Sequence, residues 1–82
     1  MTSDKQVNAD LDYASFVAKT RKKLNLSQRV AAEVFGVGAS AFSRYETGRA
    51  LPSLPLRHLL KILDAHTEFL YEIRERKNAE IP

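Results

Sequence analysis

The chain contains no cysteine, which excludes a disulfide framework and any thiolate zinc site and leaves the fold to rest on packing alone. The same absence suits a reducing compartment. No apolar run approaches the roughly 20 residues needed to span a bilayer, so no membrane role is expected. The opening MTSDKQVNAD has neither an apolar core nor a basic lead, which argues against export and for a cytoplasmic protein. No glycine-rich phosphate loop is present, and the serines near histidines form no nucleophile arrangement, so nothing points to an enzyme. Internal repeats and low-complexity segments are missing too.

Acidic residues are missing from one stretch. None occurs between Tyr13 and Ala32, where Lys19, Arg21, Lys22, Lys23 and Arg29 all fall. The net charge of +3 says little, but this one-signed segment says more. It is either a solvated helix end, where cations favour the helix dipole, or a phosphate-binding surface. What is present is otherwise ordinary: 82 residues, 44% hydrophobic and 28% charged, describe one small globular domain with a thin core.

The apolar spacing predicts five helices and no strand. Tyr13, Phe16, Val17, Thr20 and Leu24 recur at steps of three and four, giving a first helix over about 12–24 with Asp10 or Asp12 as its N-cap. Ser27 is suited to cap a second helix over 28–35, with Val30, Ala31, Val34 and Phe35 buried. Gly36, Val37 and Gly38 form a turn, with Gly36 placed where a helix end takes a left-handed residue and Gly38 as cap of the next helix. That third helix is expected over 39–47, ended by Gly48. Phe42 and Tyr45 must face inward, which leaves Ala39, Ser40, Ser43 and Arg44 outward.

Ser53 can cap a fourth helix that tolerates Pro55 in its first turn and buries Leu56, Leu59, Leu60 and Leu63. Thr67 can cap a last helix over 68–77, with Phe69, Leu70 and Ile73 on one side. Residues 1–11 are expected to form a flexible arm, 12–77 the domain and 78–82 a tail.

The segment SQRVAAEVFGVGASAFSRYETG resembles the Cro/Xre-repressor type of helix-turn-helix. Counting from Gln28, that pattern has a small residue fifth (Ala32), glycine ninth (Gly36), an apolar residue tenth (Val37), and core residues fifteenth (Phe42) and eighteenth (Tyr45). All five agree. The likeness extends further: RKKLNLSQ, FGVGASAFSRYETGRALPS and LLKILDAH are similar to the C-terminal DNA-binding domain of MqsA-type antitoxins of bacterial toxin–antitoxin operons, over about 13–76. The resemblance implies an all-α, compact five-helix fold like that of lambda repressor and Cro. It also implies a sequence-specific repressor of its own operon. That family usually carries an N-terminal, cysteine-bearing zinc domain that engages the toxin, for which this sequence has neither the length nor the cysteines. Antitoxins of the HigA type lack such a domain, which keeps a cognate toxin among the expected partners.

Arg44, one turn into the third helix, is the first choice for base readout, because arginine can grip guanine O6 and N7 with two bonds. Ser40 matches a base-contacting position of the family where an amide side chain is more usual. Ala39 stands where glutamine is frequent and offers only methyl contact, and Ser43 reaches a phosphate or a base. Gln28 is expected at a phosphate. Ser27 is either a cap alone or a second phosphate contact. Lys22, Lys23, Arg29 and Arg49 would neutralise the DNA backbone without regard to sequence. In the resembled fold, Arg21 and Glu46 pair between the first and third helices, so Glu46 is assigned to structure and not to readout.

His58 and His66 stand eight apart with no converging carboxylate trio, so no metal or cofactor is expected. One such module touches few base pairs, which predicts a homodimer on a palindromic DNA operator, its half-sites about one helical turn apart. Leu70, Ile73 and an exposed Tyr71 either form the dimer surface or, for the first two, close the core. The competing reading is a protein-interaction module that binds a toxin with little or no DNA readout.

Overall fold

A computed structural model describes the backbone of residues 2–79 and the side chains of 13–75. Five helices follow one another: α1 (Thr2–Lys23), α2 (Gln28–Phe35), α3 (Ala41–Glu46), α4 (Leu54–Ala65) and α5 (Leu70–Ala79), with a 3-10 turn, Thr67–Phe69, leading into the last. No strand occurs among the described residues. Asp10 and Asp12 stand inside α1, not at its start as expected, since neither proline nor glycine interrupts the chain upstream of them. The side chains of 1–12 and 76–82, the expected tail among them, lie outside the described residues, while the backbone of 2–11, expected to form an arm, continues α1.

α1 buries Ala14, Val17 and Thr20, with Leu24 just past its end buried too and Tyr13 and Phe16 half-buried beside them. This is the expected stripe with Ala14 added. In α2 the fully buried residues are Ala31 and Ala32, while Val30, Val34 and Phe35 are only half-buried. Two alanines on its inner face let neighbouring helices approach closely. α4 supplies Leu56, Leu60 and Leu63 to the core. Phe42, from α3, sits at the centre with no exposed surface. Leu70 and Ile73 pack against this core, so they close the domain, whereas Tyr71 keeps 77% of its surface exposed.

Side chains start two of the helices. Ser27 Oγ accepts from Val30 N at 3.1 Å, and Ser53 Oγ accepts from Leu56 N at 3.4 Å. Thr67, expected to cap α5, is instead the first residue of the 3-10 turn, where Phe69 N donates to His66 O at 3.1 Å.

Backbone bonds end three of them in one way. Asn25, Gly36 and Gly48 take left-handed φ values of 61°, 71° and 77°. After each, the next N–H reaches back five residues: Leu26 to Arg21 O at 3.2 Å, Val37 to Ala32 O at 2.9 Å, and Arg49 to Arg44 O at 2.9 Å. Each such ending satisfies carbonyls that a helix C-terminus otherwise leaves bare. Gly36 carries the sharpest test of this geometry. A Cβ there meets nothing within 4 Å, but φ is +71°, so Gly36→Ala should cost about 1 kcal/mol through backbone strain alone. At Gly38, where space is equally open and no positive φ applies, Gly38→Ala should leave the thermal midpoint unchanged. Equal midpoints for the two variants would contradict this account.

Candidate nucleic-acid interface

The turn after α2 sets the face that follows. Ala41 N donates to Gly38 O at 2.9 Å, closing a tight turn through Ala39 and Ser40. α3 therefore begins at Ala41, not at 39, and Ser40 with φ −97° and ψ 5° occupies its N-cap position in place of Gly38. The Ser40 side chain makes no capping hydrogen bond. Thr47 ends the helix, its hydroxyl donating to Ser43 O at 2.9 Å.

Aromatic packing fixes how α3 is rotated. Phe42 contacts Phe35 at a ring-centroid distance of 5.8 Å and meets Tyr45 edge-on at 5.3 Å. With these two turned inward, Ala39, Ser40, Ser43 and Arg44 are all exposed, as the sequence led us to expect. The loop after α3 is pinned to the same helix, because Arg44 O accepts from both Arg49 N at 2.9 Å and Ala50 N at 3.2 Å. A cleft of about 340 Å³ opens there, with Ala41, Tyr45, Ala50 and Leu51 beside Ser40 and Arg44.

Behind this face an ion pair ties three helices together. Arg21 Nε donates to Glu46 Oε2 at 2.6 Å and Nη2 to Oε1 at 2.9 Å, while Nη1 donates to Leu26 O at 2.8 Å. Gln28 Nε2 donates to Glu46 Oε1 at 3.0 Å. The side chains of Arg21 and Glu46 are only 12% and 8% exposed, so both charges are largely withdrawn from water and answered in place. Burial alone would raise the Glu46 pKa. Hydrogen bonds from Arg21 and Gln28, with the charges of Arg21 and Lys22, outweigh it and hold the carboxyl below its ordinary range. Arg21 is shifted up, chiefly by its hydrogen bond to Glu46.

A pH prediction follows from the lowered Glu46. A carboxylate whose folded pKa is depressed stabilises the fold above its unfolded value, and that contribution is lost as pH falls through the folded value. Stability should therefore decline in acid, starting near the ordinary carboxyl pKa of 4.5, and Glu46→Gln should flatten that decline in pH-dependent denaturant melts. Asp64 acts in the same direction, so a smaller slope should remain in the variant.

The remaining expected contacts divide. Lys22, Arg29 and Arg49 are exposed. Lys23 is turned to α4, where its Nζ donates to Asp64 Oδ1 at 2.8 Å and to Asp64 O at 3.0 Å. That ammonium, with Lys19, holds the Asp64 carboxyl below its usual range. Gln28, expected at a phosphate, donates its amide Nε2 to Glu46 Oε1. Ser27 acts as the α2 cap. His66 stacks on Phe69 at 5.3 Å with Nδ1 3.6 Å from Glu68 Oε2. Among the described residues no three His, Asp or Glu side chains gather as a metal site. Nor is any helix long and apolar enough to cross a membrane. Sequence reasoning gave no role to Leu51, and the only local sign was a leucine left in a polar loop next to Pro52.

Two short helices joined by a glycine turn, the second anchored by an inward aromatic pair and an ion pair to α1, define a helix-turn-helix domain. The chain belongs to the MqsA antitoxin family: the profile described as the antitoxin component of a bacterial toxin–antitoxin system, MqsA, matches residues 1–74. It is 52% identical over 68 residues to Antitoxin MqsA of Escherichia coli (strain K12), an alignment covering 83% of this chain and 52% of that protein. The chain thus spans about half the length of this curated relative. The family reached from the residues alone is the family found.

Proposed function

We propose that this domain is a sequence-specific DNA-binding repressor that autoregulates a toxin–antitoxin operon. In this reading it sits as a homodimer on a palindromic operator with α3 in the major groove. The carrying observation is the exposed face of Ala39, Ser40, Ser43 and Arg44, whose nearest acid in the sequence, Glu46, is largely buried and paired with Arg21. A DNA-facing surface has to keep unpaired carboxylates away from phosphate, and the pairing of Glu46 with Arg21 serves that end. Lys22, Arg29 and Arg49 are the proposed phosphate contacts. Lys23 and the Gln28 side chain are left to the roles in which they are bonded. Arg44 reads guanine, and Ser40, Ser43 and Ala39 contact neighbouring positions. The domain is proposed to act without catalysis, in the nucleoid-associated cytoplasm. Its family and its relative's name support a cognate toxin as a second partner.

A gel shift with the region upstream of the gene, random competitor DNA and a salt series tests this. A specific complex of two chains should form, with log affinity falling linearly against log salt. Arg49→Ala should reduce that slope by about 0.9 while weakening all sequences alike. Equal affinity for random DNA, or a single chain on the operator fragment, would reject the proposal.

A further inference from the structure

Leu51 is an exposed leucine between two anchored neighbours. The residue before it donates to Arg44 O, and Pro52 after it is fully buried, so both flanks are anchored while 48% of the leucine faces solvent. Leu51 lines the same cleft as Arg44. Ala41, Ala50, Leu51 and the Tyr45 ring supply mostly apolar wall, and Arg44 is the cleft's one charge.

We infer that Leu51 is a specificity-determining residue: the cleft of Ala41, Tyr45, Ala50 and Leu51 receives the 5-methyl group of a thymine neighbouring the base pair read by Arg44. This rests on the DNA-binding reading proposed above. In the major groove the thymine methyl is the apolar feature that distinguishes one base from the others, and it calls for an apolar contact. A deoxyribose offers apolar carbon too, and Arg49, the residue before Ala50, is a proposed phosphate contact, so a test has to separate base from backbone. The cleft's volume of about 340 Å³ accommodates a methyl-bearing base edge with room to spare.

The probe is a duplex enriched from a random pool by the wild-type protein, with each thymine replaced in turn by deoxyuridine, which lacks only that methyl. One replacement should weaken the wild type about fourfold, the worth of one buried methyl-sized group. The same replacement should cost Leu51→Ala nothing. Leu51→Gln, which restores bulk without an apolar surface, should behave as Leu51→Ala does, and both should melt like the wild type. Leu51→Ala weakening the thymine and deoxyuridine duplexes equally would place the leucine on the sugar–phosphate backbone and overturn the inference. So would a Leu51→Ala affinity equal to that of the wild type. Failure of the wild type to enrich any sequence would instead overturn the DNA-binding reading, and this inference with it.

Discussion

Glu46→Ala is expected to lower the unfolding free energy by about 3 kcal/mol, because it leaves the Arg21 guanidinium largely buried without its carboxylate. Domains of this size are held by only about 4–12 kcal/mol, so the loss should appear as a fall of about 15 °C in the melting temperature. Gln28 loses its acceptor in the same step, so one polar link from α2 to α3 goes with the ion pair from α1. DNA affinity should therefore fall together with stability. The pair itself is not expected to contribute that much net energy, since withdrawing two charges from water is costly. Replacing both residues with apolar side chains, Arg21→Met with Glu46→Leu, should cost less than either single change. A Glu46→Ala protein that melts like the wild type would show that the ion pair does not hold α3.

Arg44→Ala should do the opposite. Its side chain is exposed, so stability should not move, while discrimination between operator and random DNA should fall between about fivefold and a hundredfold. Binding to random sequence should change far less, because that term comes from phosphate contacts. Arg44→Lys should restore little of the specificity, since an ammonium cannot form the two parallel bonds that a guanidinium makes to guanine. Competition titrations with operator and scrambled duplexes measure both quantities at once. Loss of affinity by the same factor on both duplexes would move Arg44 from base readout to the phosphate backbone.

Much of this was legible because its causes are local. Ser27 and Ser53 announce their caps, Gly36 its left-handed turn, and the leucines of α4 their face. The start of α3 was not. Ala39 is a strong helix former, and propensity alone draws the helix through it, but the tight turn from Gly38 to Ala41 delays the helix by two residues. The Lys23–Asp64 and Gln28–Glu46 contacts join residues 41 and 18 apart, and no spacing rule reports such meetings. The Arg21–Glu46 pair was reached by resemblance to a fold, not by periodicity. Leu51 stayed invisible because its exposure between anchored neighbours is a property of the assembled loop.

The shared ending of α1, α2 and α3 bears on how such a domain acquires a new target. Main-chain bonds decide where those rods stop, and inward side chains, Phe42, Tyr45 and the Arg21–Glu46 pair, decide how α3 is aimed. The outward positions 39, 40, 43 and 44 are thereby released from architectural duty, and the frame carrying them should tolerate a fresh alphabet. Retargeting would then amount to exchanging a few letters on a stage whose angles are set from beneath, by glycine, asparagine and the inward side chains.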